Sequence, residues 1–416
     1  MLVITAPGQG AQAPGFLSPW LELPGFAGRL GAWSELAGVD LIRCGTTADA
    51  DEIRDTAVAQ PLLVASAIAA AEALFGGLDQ ARAQAGAVAG HSVGELAAGA
   101  IAGVLSPADA MRLVGVRGQA MAQAAAEQAT GMTAVLGGDE AVVLDAIEAH
   151  GLTPANINGA GQIVAAGTMA QLDAFAAAPP AGTRLRPLNV AGAFHTVHMA
   201  PAVDALREAA ASVTVRDPGI MLLSNADGAV VASGRDWLER IVTQVSTPVR
   251  WDKCMQTMSG RGATALIELP PGGTLTGLAR RALPQLARAA LKTPGDLTAA
   301  RALLAEHGTP EHHYAGNTPE WRLLVATAAG TFRAGTEGQD AAPGAHVHPG
   351  ALLGHVAARS GQEPVTPDFA GIVLEWLVED GDPVAAGQPL VRLQPEPAIG
   401  GRSPEPAGRG EHDATA

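Results

Sequence analysis

Short apolar runs alternate with Ala-rich stretches from residue 1 to about residue 305, and this alternation constrains the fold more than any other feature. The runs Leu2–Ala6, Gly86–Gly90, Thr133–Leu136, Ile163–Gly167 and Ala265–Leu269 read as strands. The stretches Gln60–Leu74, Val93–Ile101 and Pro107–Gln123 read as helices. Alternating elements of this kind predict an α/β core with a parallel sheet. Residues 131–191 read differently, as strand (Met132–Leu136), helix (Glu140–Ala149), a strand pair (around Ala155–Ile157 and Ile163–Ala166), helix (Met169–Ala177) and strand (Arg184–Leu188). That order of split βαβ units predicts a small ferredoxin-like insert. The core is therefore expected in two pieces, 1–130 and 192–305, around an insert at 131–191.

At 416 residues the chain exceeds what one hydrophobic core usually serves. After residue 305 its texture changes: Gly and Pro crowd and short β-like runs appear. Two half-repeats are visible. One has Ala329-Gly330-Thr331-Phe332 and then Gly350–Val356; the other has Ala370-Gly371-Ile372-Val373 and then Gly387–Leu393. Tandem hairpins of this type predict a small flattened barrel over 320–395, after a linker at 306–319. The Gly/Pro-rich stretch 396–416 is expected to be disordered.

The formal net charge is −15, of which residues 306–416 carry −9. That sign disfavours nucleic acid and anionic membranes as partners. No apolar run of membrane-spanning length is expected, and Met1–Pro7 reads as a first strand, not a signal peptide. Two cysteines, Cys44 and Cys254, are too few for a disulfide framework or a zinc site and read as small buried hydrophobes. His312-His313 and His346-x-His348 have no acidic or Cys partner at ligand spacing, so no metal is expected. A cytoplasmic location fits these features.

Gly90-His91-Ser92-Val93-Gly94 follows the strand Gly86–Gly90 and precedes the helix Val93–Ile101. A G-x-S-x-G turn in that context is a nucleophile elbow: it exposes the Ser oxygen at a helix N-terminus, where N–H groups can hold an oxyanion. A Ser nucleophile needs a base, and His91, His195 and His198 are the candidates. No Asp or Glu is evidently placed to complete a hydrolase triad.

Seven segments in order resemble the malonyl-CoA:acyl-carrier-protein transacylases, particularly actinobacterial ones. They are Pro7-Gly8-Gln9-Gly10-Ala11-Gln12, Gly90–Glu95, Arg117-Gly118, Asn156-Ile157-Asn158 with Gly161-Gln162-Ile163-Val164, Gly192-Ala193-Phe194-His195, Gln244–Trp251, and Glu268–Gly272. One departure is Pro270, where the family pattern has Gly; it bears on a loop rather than on the chemistry. The resemblance implies Ser92 as nucleophile and His195 as base, oriented by the backbone carbonyl of Gln244. It implies the N–H groups of Gln9 and Val93 as oxyanion hole and Arg117 as the clamp on the malonyl carboxylate. Phe194 and Val93 match malonyl-selective polyketide acyltransferases. Malonyl-CoA and an acyl carrier protein are the implied partners, with no cofactor and a monomeric chain. Arg280 and Arg281 are candidates for the carrier's docking patch. A thioesterase or hydrolase on the same scaffold, a malonate-decarboxylase-type transacylase, and a non-catalytic scaffold remain as alternatives.

Residues of about 320–395 resemble biotinyl/lipoyl carrier domains, with Asp380–Leu390 matching the second-half pattern. Such domains carry the cofactor on a Lys between the half-repeats. Here that stretch reads Ala357-Ala358-Arg359-Ser360-Gly361, and no Lys follows Lys292. Neither biotin nor lipoyl attachment is therefore expected.

Overall fold

Strand β1 (Leu2–Ala6) is buried along its whole length, as a central strand of a parallel sheet must be. It is followed by β2 (Ala87–Gly90), then by β3 (Thr130–Gly137), β4 (Thr153–Gly159), β5 (Gln162–Thr168) and β6 (Thr183–Pro187). After these come β7 (Met221–Leu223), β8 (Val230–Val231), β9 (Ala265–Glu268) and β10 (Ala287–Ala290). The computed structural model describes residues 1–190, 192–308, 321–335, 342–358 and 361–395. Two units divide the chain, Met1–Tyr314 and Ala315–Ala416.

The first unit is built on a sheet of order β10-β9-β1-β2-β7-β8. The first five strands are parallel, but β8 runs antiparallel to β7. The sheet is thus mixed, not wholly parallel as expected. Its edge reverses because the connection from Leu223 to Val230 is too short for a parallel crossover. The helix Leu297–His307 runs past the expected domain end at 305.

The helix Thr56–Phe75 is the described helix that bears on the expectation of no membrane span. By length and composition it could cross a membrane, since its apolar window tolerates Gln60, Ser66 and Glu72; but 83% of that window is buried inside the fold. It packs against the helices Pro107–Glu127 and Gly94–Ile101 as a core helix.

Strands β3 to β6, with the helices Glu140–Ala149 and Met169–Ala177 between them, make a separate antiparallel sheet of order β4-β5-β3-β6. Its own core holds Val135, Ile147, Ile163 and Phe175. A parallel bridge ties it to the main sheet's side: Ile157 N–H donates to the Val249 carbonyl and Val249 N–H to that of Ala155, at 2.9 and 2.8 Å.

Among the described residues the second unit has eight strands: β11 (Arg322–Val325), β12 (Gly330–Ala334), β13 (His346–Val347), β14 (Gly354–Ala358), β15 (Gly361–Val365), β16 (Gly371–Trp376), β17 (Pro383–Val384) and β18 (Pro389–Pro395). They form two antiparallel four-stranded sheets, β11-β18-β16-β13 and β15-β14-β12-β17. Moving every strand four places along the chain exchanges the two sheets, which is the symmetry the half-repeats encode. The sheets face one another, with the Trp376 ring 5.2 Å from that of Phe332. Ala358 pairs with Gly361 in the hairpin joining the two halves. Arg359 and Ser360 between them, His312, His313, most of the 306–319 stretch and all of 396–416 lie outside the described residues.

Candidate active site

Gly90 ends β2 and Gly94 opens the next helix, and both must lack a side chain. A Cβ on Gly90 would stand 2.0 Å from the Gly94 carbonyl carbon, and one on Gly94 would stand 2.3 Å from the Ala6 oxygen. Strand and helix approach too closely for anything larger. Between them Ser92 takes a left-handed backbone, φ 53°. For a non-glycine this costs on the order of 1–2 kcal/mol. Asn225 holds the turn in that shape. Its Oδ1 accepts from Ser92 N–H at 2.7 Å, its Nδ2 donates to the Gly90 carbonyl at 2.7 Å, and its own N–H donates to Glu95 at 2.9 Å.

Of the three candidate histidines, the fold brings His195 to the serine. Its Nε2 lies 2.7 Å from Ser92 Oγ, and its Nδ1 lies 2.8 Å from the Gln244 carbonyl. His195 also has a left-handed backbone, φ 61°. Its N–H donates to the Val245 carbonyl at 3.1 Å, and Thr196 Oγ1 donates to that of Ala193 at 2.7 Å. His91 turns away: its Nε2 meets Asn158 Oδ1 at 2.9 Å and its ring lies 5.5 Å from Trp251. His198 opens no contact to Ser92 among the described residues.

Arg117 is only 1% exposed. It lies on the buried stripe Ala110, Val114, Arg117, Gly118, Met121 of the helix Pro107–Glu127, which starts at the Ser106 cap. Its two terminal nitrogens donate to amide oxygens, Gln60 Oε1 at 2.6 Å and Gln244 Oε1 at 2.8 Å, and one reaches Ser92 Oγ at 3.4 Å. Its Nε has no partner. Among the described residues no carboxylate stands within ion-pair distance of it. Burial pulls its pKa down to about 10, against the pull of Glu95.

Burial also pushes the His195 pKa down to about 3, helped by the Arg117 charge and opposed by the Gln244 carbonyl. Lowering a base's pKa keeps it neutral in more acid. A pH profile of acylation, kcat/KM against pH for the free enzyme, is therefore expected to stay flat from pH 7 to pH 5. A histidine at the usual value would already have lost about tenfold by pH 5.5. Stability carries the matching sign: the unfolded histidine binds its proton near pH 6.5 and the folded one does not. This group's contribution is therefore present above pH 6.5 and lost as pH falls toward 3.

Ser92 N–H is committed to Asn225, whereas the N–H groups of Gln9 and Val93 meet no acceptor among the described residues. The Gln9 side chain donates to the Arg54 carbonyl and Thr56 Oγ1. Phe194 is buried in the main core beside His195. Arg280 and Arg281 are exposed, and Arg281 donates to Gln162 of the insert at 3.0 Å. Glu268 accepts three N–H bonds from Gly273, Leu275 and Thr276, so the loop containing Pro270 is anchored at the start of the next helix. A surface cavity of about 380 Å³ at the insert's seam, lined by Gly159, Asp252, Met255 and Leu283, includes none of the residues around Ser92.

Asn225 and Gln60 belong to this site without having been singled out from the sequence; Glu95 and Gln244 lie in segments that carry the resemblance, but their side chains were given no role there.

A serine on a strained elbow, a histidine within hydrogen-bond reach and a buried cation beside them define an acyl-transferring site. Residues 7–305 match the acyl transferase domain family. The malonyl CoA-acyl carrier protein transacylase of Mycolicibacterium smegmatis is 54% identical over 288 residues, covering 68% of this chain and 98% of the relative. The crystal structure of MCAT from Mycobacterium tuberculosis is 51% identical, with TM-score 0.69, covering 71% of this chain and 98% of that one. A malonyl-transacylase solved with its type II PKS acyl-carrier protein is 29% identical, with TM-score 0.66, over 72% of this chain and 98% of that one. The chain belongs to the acyl transferase family, and within it to the malonyl CoA-acyl carrier protein transacylases.

Proposed function

We propose that the chain moves a malonyl group from malonyl-CoA to the phosphopantetheine thiol of an acyl carrier protein, for fatty-acid or polyketide synthesis. The observation that carries this reading is Arg117: a buried guanidinium without a carboxylate partner, beside a serine that can bear an acyl group. A free carboxylate at the far end of the acyl group supplies what such a cation lacks.

Ser92 Oγ attacks the thioester carbonyl and His195 Nε2 takes its proton. The tetrahedral oxyanion is held by the Gln9 and Val93 N–H groups, each worth on the order of 3 kcal/mol. Collapse breaks the C–S bond, and the CoA sulfur leaves with the proton from His195. The carrier's thiol then gives its proton to His195 and attacks the seryl ester, and Ser92 recovers the proton. Phe194 narrows the space beside the α-carbon.

A backbone carbonyl orients His195 where a hydrolase would place an acid. The carbonyl fixes the tautomer but adds no negative charge to stabilise an imidazolium. A base of such low pKa suits a thiol, near 8.5, better than water. This favours transfer over the hydrolase reading. Arg280 and Arg281 are the proposed docking cations for an acidic carrier.

The second unit is proposed to be a biotinyl/lipoyl-type module and the β3–β6 insert a ferredoxin-like one, on strand order and connectivity. With no Lys after Lys292 in the sequence, it bears neither cofactor. A monomeric, cytoplasmic chain is the accompanying proposal.

The test is steady-state transfer from malonyl-CoA to a holo acyl carrier protein with both substrates varied. Parallel double-reciprocal lines and one malonyl-carrier formed per CoA released are expected. Free malonate as the main product would favour the hydrolase.

A further inference from the structure

Gln244 holds three parts of the site at once. Its main-chain carbonyl takes the His195 Nδ1 proton, its Oε1 accepts from Arg117 at 2.8 Å, and its Nε2 donates to the Ser92 carbonyl at 3.2 Å and to the Glu95 carboxyl. A glutamine amide has a donor end and an acceptor end, and here it works only one way round. Turned over, it would aim its NH2 at the guanidinium, donor against donor. Its oxygen would then face the Ser92 carbonyl, acceptor against acceptor.

Glu95 is placed to choose between these orientations. It sits three residues after the nucleophile, 1% exposed, on the first turn of the helix Gly94–Ile101. One of its oxygens accepts from the Asn225 N–H at 2.9 Å, and the other accepts from the Gln244 amide. Both neighbours bring donors, and the ionised carboxylate accepts from both; burial pushes its pKa up to about 8, and these bonds and the Arg117 charge pull against that. No hydrogen bond or ion pair joins Glu95 directly to Arg117 or to Ser92 Oγ among the described residues.

We propose that Glu95 is a positioning residue for substrate choice: it locks the Gln244 amide with its oxygen toward Arg117, so that the guanidinium is held where it meets the acyl carboxylate. This rests on the reading of Arg117 given above. Glu95→Gln is nearly isosteric but offers only one acceptor. The Asn225 N–H belongs to the backbone and cannot turn, so it claims that acceptor. The new NH2 then faces Gln244 and turns its amide over, which loosens Arg117. Glu95→Asp keeps two acceptor oxygens.

The experiment measures acylation kcat/KM with malonyl-CoA and acetyl-CoA for the unmodified protein, Glu95→Gln, Glu95→Asp, Arg117→Ala and the Glu95→Gln/Arg117→Ala pair, with thermal melting to confirm folding. The ratio of the two substrates cancels general damage to Ser92 and His195. Glu95→Gln is expected to lower the malonyl preference about tenfold, Glu95→Asp to retain most of it, and Glu95→Gln to change nothing further once Arg117→Ala is present. An unchanged preference in Glu95→Gln, or the same loss with and without Arg117, overturns the proposal. An Arg117→Ala protein that keeps its full malonyl preference overturns the carboxylate reading itself, and the proposal with it. Interactions through a shared partner are what such a cycle detects.

Discussion

Replacing Ser92 by Ala lowers malonyl transfer about ten-thousand-fold or more, because it removes the hydroxyl that His195 reaches. Replacing His195 by Ala costs a similar factor, and the double replacement costs little beyond either alone, since the two groups act as one unit across 2.7 Å. The measurement is the pre-steady-state burst of CoA release. The Ser92→Ala protein is expected to show none while still folding, because the turn it occupies is held by Asn225 and by Gly90 and Gly94, not by its hydroxyl. A burst that survives in Ser92→Ala would place the nucleophile elsewhere.

Replacing Arg117 by Ala removes the buried cation that faces that hydroxyl. Loss of one partner from a desolvated guanidinium–carboxylate pair costs about 2–5 kcal/mol, so malonyl preference over acetyl falls about thirtyfold or more. Arg117→Lys is expected to recover little of it. An ammonium on a flexible stem cannot keep Gln60 and Gln244 as partners and also offer a carboxylate two parallel bonds. The same change removes the charge that helps hold His195 low, so the acid limb of the pH profile moves toward neutral in Arg117→Ala. Acylation rates with the two thioesters across pH read both effects. Unchanged selectivity with an unchanged pH profile would separate Arg117 from the substrate.

The nucleophile was legible because its turn makes local demands: two glycines within five residues, after a buried strand and before a helix. Arg117 was legible only through the resemblance, although its place on an apolar helix stripe is a physical signal in its own right. Residue type alone left His91, His195 and His198 as candidates for the base, and only the resemblance pointed to His195. What selects His195 is a loop zipped to Val245, and no local pattern reports that pairing. Asn225 and Gln60 were not legible for the same reason, and Glu95 was visible only as the last residue of the Gly90–Glu95 segment, without its partner. The Glu95–Gln244 contact spans 149 positions, and Arg117 meets Gln60 across 57. The reversed edge strand β8 escaped because two apolar residues, Val230 and Val231, carry no periodicity. The eight-stranded second unit was legible in outline because its halves repeat, which imposes the same pattern twice.

The account's central claim is that Ser92 carries malonyl while Arg117 selects it. The most direct test is intact-protein mass spectrometry after brief exposure to malonyl-CoA or acetyl-CoA, followed by peptide mapping. The account predicts a single malonyl adduct on the peptide containing Ser92, absent in Ser92→Ala, with acetyl labelling far slower except in Arg117→Ala. An adduct on another residue, or equal labelling by both thioesters in the unmodified protein, would contradict it.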